Sequence, residues 1–405
     1  MSTLSSPGYS IDPGTEYRKV DVNSPRSLFA AIYLGVIGAA VFIVQPGFIQ
    51  GLVQLYGFSE QQAGYTASAE VWGIALTTVT MALGGHRLSW LRILRCSIVI
   101  FALGNLLSLV TRDVIAFSFL RFLTGIGAGG LISLSFTIIG ITRLPDRNFG
   151  YLIMGVLTYG ALGLWALPTA LDTVGMTGLI VFFALFAASG WACLPHMPDS
   201  GEEHLQVEED AVDLAGIFRL FAIAAMFTYF FAQGVIWAYL FLIGVNGGVS
   251  EQGVANGLML SQFLGIGGAF VAAMAGRRFG RIIPLTIGIL GGALVLVYLY
   301  GQFTALVYAV TVCVYNFAWN MSHPFLLAGM ASFDRHGRVV VYAVAAQMLG
   351  LAVGPAFAAS LLGEGDYSRV INAGIGLFLL SYLLILIPLI AHKKQIAVQY
   401  GAASG

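Results

Sequence analysis

Long apolar segments alternate with short polar segments along the whole chain. Each apolar segment is long enough to cross the hydrocarbon of a bilayer, which takes about 20 residues as an α-helix. Runs of this length satisfy their backbone in lipid by forming helices. The sequence therefore predicts an all-α membrane protein with twelve spans, at residues 27–49, 62–85, 93–111, 114–141, 148–170, 175–196, 216–244, 253–276, 282–300, 304–332, 339–362 and 370–391.

Basic residues recur in every second polar segment. The clusters contain Arg18, Lys19 and Arg26, then Arg87, Arg92 and Arg95, Arg143 and Arg147, Arg219, Arg277, Arg278 and Arg281, Arg335 and Arg338, and finally Lys393 and Lys394. The intervening segments hold only Arg112 and Arg369. Because basic residues are retained on the cytoplasmic side of a membrane, both termini are predicted to be cytoplasmic. We expect a multi-pass protein of a bacterial inner membrane.

A long acidic segment divides the chain into two groups of six spans. With the span positions, this segment predicts five regions. They are a cytoplasmic tail at 1–26, a six-helix bundle at 27–195, an acidic cytoplasmic linker at 196–215, a second bundle at 216–392 and a cytoplasmic tail at 393–405. A constant offset of 191 residues aligns Ser59, Glu60 and Gln61 with Ser250, Glu251 and Gln252, and also Arg147 with Arg338. Such parallel repeats are typical of transporters with a site between the two halves.

Composition narrows the classes of protein further. The chain is 58% hydrophobic and 9% charged, against roughly 25% charged residues in a soluble domain. Its formal net charge is zero, so no nucleic-acid partner is expected. The three cysteines and six histidines have no disulfide or metal-ligand spacing. No catalytic set can be assembled, so we expect neither an enzyme nor a cofactor or metal site, and we expect a monomer.

Three local motifs resemble those of the major facilitator superfamily. Gly84 to Arg92 reads GGHRLSWLR, Ala275 to Arg281 reads AGRRFGR, and Leu120 to Gly130 reads LRFLTGIGAGG. The third is similar to the arginine-and-glycine motif of proton-coupled members. The resemblance implies two pseudo-symmetric six-helix bundles that rock around a central cavity. It also implies that cytoplasmic loop residues take part in conformational gating, with Arg87, Arg147, Arg278, Arg281 and Arg338 as candidates.

Ionisable residues at membrane depth are candidates for proton coupling, because placing one there costs roughly 2.5–3.5 kcal/mol on insertion scales. Glu70 lies near the middle of the second span and is predicted to carry a proton; alternatively, it is a protonated group that bonds a neighbouring helix. Arg121 is the only Lys or Arg that lies more than a few residues inside a predicted span. It is a counter-charge to Glu70, a clamp for a substrate carboxylate or a structural arginine, and we expect it to face the central cavity. His323 is a third candidate, because histidine titrates near neutral pH.

Polar and aromatic residues at similar depth predict the wall of a substrate cavity. Asn316, Asn320 and His323 form one stripe of the tenth span, which Trp319 borders. With Arg121 and Glu70, the predicted substrate-contacting residues are Gln45, Gln233, Trp237, Gln262, Asn316, Trp319, Asn320 and Gln347.

Three hypotheses for function follow. The first is a secondary transporter of a small organic molecule, leaning towards an organic anion because of Arg121, that works by alternating access with proton coupling. The second is a proton/drug antiporter that exports lipophilic or cationic compounds. The third is a polytopic receptor or scaffold without transport, which the repeated arginine loops argue against.

Overall fold

The computed structural model describes residues 20–84, 89–200, 211–275, 280–335, 338–363 and 366–403. These residues are helical apart from connecting turns and one isolated bridge between Gly363 and Asp366. The helices are α1 (Pro25–Ile43), α2 (Gln45–Tyr56), α3 (Glu60–Gly84), α4 (Trp90–Leu107), α5 (Val114–Gly140), α6 (Pro145–Ser189), α7 (Gly216–Asn246), α8 (Glu251–Ala275), α9 (Ile282–Val295), α10 (Ala305–Ser332), α11 (Arg338–Leu361) and α12 (Ser368–Ala403). Short 3₁₀ segments, Gly190–His196 and Leu296–Leu299, follow α6 and α9.

The predicted fold class is confirmed, although helices and spans do not correspond one to one. Within the described residues, nine helical segments are long and apolar enough to cross a membrane. The segment that contains α6 supplies two passes, because Gly175 breaks it with a φ of 65°. The backbone N–H of Arg143 donates to Asn23, and Ser27 donates to the carbonyl of His196. Both ends of this segment therefore return to the start of α1.

The first span is longer than predicted and has a kink. The sequence predicts its end at residue 49, whereas α1 and α2 together reach Tyr56, with a break at Val44. Pro46 lies in the first turn of α2, where the missing proline N–H has no helical partner to lose. Gly57, with a φ of 70°, ends α2. Pro46 therefore begins a second helical segment of the same span.

Helix boundaries confirm the internal repeat. Glu60 begins α3 and Glu251 begins α8, and both helices contain 25 residues. Val114 and Ala305, which begin α5 and α10, differ by the same 191 positions. The two helix starts are also capped alike, since the Ser59 and Ser250 hydroxyls each accept a backbone N–H of the first turn.

The last helix extends beyond its predicted end, and the linker contacts both halves. Helix α12 continues to Ala403, through most of the predicted tail, and the His392 ring packs on Phe333 at 5.6 Å. The described ends of the linker are bound to the two halves. Ser89 bonds Asp199 on one side, and the backbone N–H of Val212 donates to Ser332 on the other at 3.0 Å. Residues 201–210 lie outside the described chain.

The two halves contact each other mainly towards the side predicted to be outer. Ser68 of α3 donates to the carbonyl of Ala352 in α11 at 2.6 Å. Gln252 of α8 donates to the carbonyl of Trp165 in α6 at 3.3 Å. Because α3 and α8 begin on the predicted outer side, these bonds close that side of the molecule.

Candidate functional site

A cavity of about 200 Å³ lies between the two halves. The N-terminal half contributes an apolar wall, with Phe42 and Ile43 of α1, Ile74 of α3, Phe136 of α5 and Leu152 of α6. The C-terminal half contributes the polar side chains, which are Gln262 of α8, Asn316, Asn320 and His323 of α10, and Gln347 of α11. The cavity is therefore apolar on one side and hydrogen-bonding on the other.

Most of the polar wall is bonded to itself. The amide nitrogen of Asn320 donates to the Asn316 side-chain oxygen at 2.7 Å, one turn earlier on α10. His323 shares a hydrogen bond of 3.1 Å between Nε2 and the Gln347 amide oxygen. The first bond lies within α10 and the second joins α10 to α11, so the four side chains form one connected part of the wall.

Two tryptophans of the C-terminal half line the cavity as a pair. The rings of Trp237 and Trp319 meet edge to face, with centroids 5.9 Å apart. Trp237 Nε1 donates to the carbonyl of Phe42 at 3.2 Å, and this bond crosses from one half to the other. The aromatic pair presents ring faces and edges to a ligand.

A buried ion pair lies inside the N-terminal half. Arg121 of α5 binds Glu70 of α3 through two hydrogen bonds, Nη2 to Oε1 at 2.6 Å and Nε to Oε2 at 3.2 Å. Its third contact is Nη1 to the side-chain oxygen of Asn105 in α4 at 2.8 Å. The guanidinium also lies 5.2 Å from the centre of the Phe48 ring. Such a bidentate, fully hydrogen-bonded pair compensates part of the cost of burying both charges.

Glycines set the distance between α3 and α5 at the level of the ion pair. A Cβ atom on Gly125 would overlap the carbonyl oxygen of Glu70, and one on Gly73 would overlap that of Phe122. Small residues let membrane helices approach closely. The glycine-rich motif of the fourth span thus brings Glu70 and Arg121 within hydrogen-bonding reach.

Comparison with known proteins identifies the family. The sequence model of the Major Facilitator Superfamily matches residues 30–354, which is most of the chain. The chain belongs to the major facilitator superfamily. It is therefore a multi-pass membrane transporter of the alternating-access type.

Solved structures of superfamily members share the fold at low sequence identity. The xylose transporter XylE from E. coli, in a partially occluded inward-open conformation, matches with a TM-score of 0.68 and 14% identity over 89% of this chain and 98% of that chain. A bacterial homologue of the human lysosomal transporter Spinster, inward-facing and unoccupied, matches with a TM-score of 0.65 and 13% identity over 91% and 97%. No curated protein matches.

Seven of the predicted site residues of this superfamily member line the cavity together. They are Trp237, Gln262, Asn316, Trp319, Asn320, His323 and Gln347. The stripe on the tenth span thus faces the space between the halves. Which of these residues binds substrate or carries a proton stays a prediction.

Four predicted residues lie elsewhere. The expectation that Arg121 faces the cavity is wrong, because Glu70, Asn105 and Phe48 enclose its guanidinium and leave 0% of the side chain exposed. Glu70 lies in the same pair. Gln45 donates to the carbonyl of Ala67 at 3.5 Å.

Gln233 is the fourth of these residues, and its amide oxygen accepts a bond from the Tyr315 hydroxyl. Sequence reasoning also missed Asn105 as the third member of the ion-pair cluster. Its polar side chain within the apolar third span is the signal that could have found it.

The predicted gating arginines are only partly described. Arg87 and Arg278 lie outside the described residues. The Arg147 guanidinium lies over the Tyr151 ring at 5.7 Å. Arg281 donates to the Ser332 hydroxyl at 3.0 Å, and the backbone N–H of Arg338 donates to Asp334 at 2.8 Å. A gating role for these residues stays a prediction.

Proposed function

We propose that this superfamily member is a proton-coupled secondary transporter of a small, largely apolar organic molecule. The observation that carries the proposal is the central cavity, enclosed by both halves and lined by an apolar wall facing a polar wall. Pockets for drug-sized ligands measure about 300–1,000 Å³, so a volume of about 200 Å³ suits a small molecule. The basic stripe supports an orientation with both termini in the cytoplasm.

The wall chemistry shifts the proposed substrate away from an organic anion. That preference depended on Arg121 as a carboxylate clamp, and Arg121 is bound to Glu70. Among the described residues that line the cavity, none is Lys, Arg, Asp or Glu. The apolar wall instead supports a lipophilic molecule, which is the class that the drug-antiporter hypothesis names.

The buried pair supports the proton coupling. Protonation of Glu70 removes the charge that holds the Arg121 fork, so the bonds between α3 and α5 weaken. Ser68 lies two positions before Glu70 on α3 and bonds Ala352 in the other half. A change in α3 at Glu70 therefore reaches a contact that closes the predicted outer side. This short path links protonation to the exchange between inward-open and outward-open states.

Transport by the purified protein in liposomes tests the proposal. Liposomes are preloaded at one pH and diluted into another, and fluxes of radiolabelled benzamide and indole are measured with and without the gradient. A pH gradient is expected to drive accumulation of at least one compound and to be dissipated as it does so. Flux that ignores the gradient contradicts proton coupling and indicates uniport. Binding without any flux favours the receptor hypothesis.

A further inference from the structure

One buried hydrogen-bond acceptor in the cavity wall has no donor among the described residues. It is the amide oxygen Oε1 of Gln262 in α8. Gln262 is 1% exposed and lines the cavity. Buried polar atoms in proteins nearly always have a hydrogen-bond partner, so this oxygen stands out from the wall around it, where Asn320 bonds Asn316 and His323 bonds Gln347.

The opposite helix approaches this oxygen through a glycine. A Cβ atom built on Gly160 of α6 would lie 3.2 Å from the amide oxygen of Gln262 and would overlap Cγ2 of Ile43. Gly160 therefore supplies no side-chain donor to the free acceptor, and Gln262 remains part of the cavity wall.

The surroundings of Gln262 define what a ligand can be. The described lining residues include no Lys, Arg, Asp or Glu, so an ionised ligand would lose its hydration without gaining a counter-charge, which is unfavourable. Trp237 and Trp319 offer aromatic surface on one side, and Ile43 and Ile74 offer aliphatic surface on the other. An uncharged ring system matches both walls.

We propose that the cavity binds an uncharged organic molecule with an aromatic or apolar body and one N–H or O–H donor, which bonds Gln262 Oε1. The inference rests on the proposed function, because it takes the cavity to be the transport site, and it deepens that function by naming the substrate class. Gln262 is then the specificity-determining residue of the cavity.

Matched pairs of ligands test the donor requirement. Indole is compared with 1-methylindole, and benzamide with N,N-dimethylbenzamide, by isothermal titration calorimetry on the purified full chain at pH 7. Benzoate and the benzylammonium ion serve as charged comparators. Each N–H compound is expected to bind about tenfold more tightly than its methylated partner, which corresponds to 1.4 kcal/mol. Both ions are expected to bind more weakly than benzamide.

Two variants separate Gln262 from general effects on the fold. In Gln262→Met the tenfold preference for N–H compounds is expected to disappear, because the acceptor is gone while the side-chain volume is kept. Gln45→Met is the matched control. Gln45 is also a buried amide whose Oε1 has no described partner, but it does not line the cavity, so its variant is expected to keep the preference.

Several results overturn the inference. The first is equal binding of the N–H and N-methyl partners to the wild type. The second is tighter binding of either ion than of the N–H compounds. The third is no binding of any N–H compound at millimolar concentration. Liposome flux distinguishes this failure from failure of the proposed function. Flux of benzoate or benzylammonium alone refutes the substrate class and leaves transport standing. The expected binding pattern without flux of any compound refutes transport and leaves the binding class standing.

Discussion

Glu60 and Glu251 occupy the same position in the two repeats, and each connects the second span of its own half to the first span of the other. The carbonyl of Glu60 accepts a bond from Tyr239 of α7 at 3.0 Å. The carboxylate of Glu251 accepts bonds from Gln50 and Gln54 of α2. These contacts lie at the starts of α3 and α8, so they form a two-fold latch on the predicted outer side.

Removing one side of this latch should shift the conformational balance. Glu251→Ala loses both bonds to α2, so we expect the outward-open population to rise several-fold, since each hydrogen bond contributes about 0.5–1.5 kcal/mol. Double electron–electron resonance checks this shift. It measures the distance between spin labels at Thr173 and Arg369 in a protein whose native cysteines are replaced. These positions are exposed ends of the two halves on the predicted outer side.

Gln61→Ala is the control for this experiment. Gln61 is the repeat equivalent of Gln252, but its amide donates to Tyr65 within the same helix. The label distances in Gln61→Ala should match the wild type. An unchanged distance distribution in Glu251→Ala would show that the latch does not set the balance.

Neutralising Glu70 should separate proton coupling from transport itself. Glu70→Gln keeps the shape and one acceptor for Arg121, but leaves the guanidinium buried without a counter-charge. We expect accumulation driven by a pH gradient to be abolished and exchange of substrate across the membrane to continue. We also expect a fall of about 1–3 kcal/mol in stability. Liposome counterflow and thermal melting measure the two effects.

A neutral double variant is the control for stability. Glu70→Gln combined with Arg121→Met removes both charges, and replacing a buried ion pair with neutral side chains is often neutral or stabilising. The double variant should therefore melt at a higher temperature than Glu70→Gln without recovering accumulation. Wild-type accumulation in either variant would remove Glu70 from the coupling mechanism.

Arg121→Lys distinguishes a counter-charge from a substrate clamp. Lysine keeps the charge but cannot form the bidentate fork to Glu70 and reach Asn105 together. Because Arg121 lies outside the cavity, we expect ligand affinity to stay within about twofold while the pH optimum of uptake shifts. Calorimetry and uptake at several pH values measure both. A tenfold loss of affinity, as expected for Gln262→Met towards N–H compounds, would restore the clamp hypothesis.

Gly125 should be intolerant of a single added methyl group. Gly125→Ala places a Cβ atom against the carbonyl of Glu70, and such overpacking costs about 1–3 kcal/mol. We expect a lower melting temperature and weaker proton coupling, because α3 and α5 must separate. Gly150→Ala is the matched control, since no atom lies within 4 Å of its Cβ position. Equal melting of the two variants would contradict the close approach.

The repeat and most span positions could be predicted because they depend only on the order of apolar and polar residues along the chain. Apolar length sets the number of crossings, and the 191-residue offset reappears in the starts of α3 and α8. The stripe of Asn316, Asn320 and His323 was also informative, since polar side chains at three- and four-residue spacing within a span share one face.

The direction of Arg121 could not be predicted. The fourth span is apolar all round, so its periodicity does not show which face meets α3, α4 or the cavity. That rotation is set by the approach of Gly125 to α3 and by Asn105 on a separate helix. The turn at Gly175, by contrast, falls where the predicted spans 148–170 and 175–196 meet.

The separation of the polar wall from the ion pair has a consequence for how such a protein diversifies. The polar residues that line the cavity belong to α8, α10 and α11, whereas Glu70, Asn105 and Arg121 belong to α3, α4 and α5. After duplication of an ancestral six-helix unit, the two copies are free to change under separate selection. Under the proposed function, substitutions in the second copy can recruit new compounds while the first copy continues to supply the energy, so selectivity and energetics can be inherited independently.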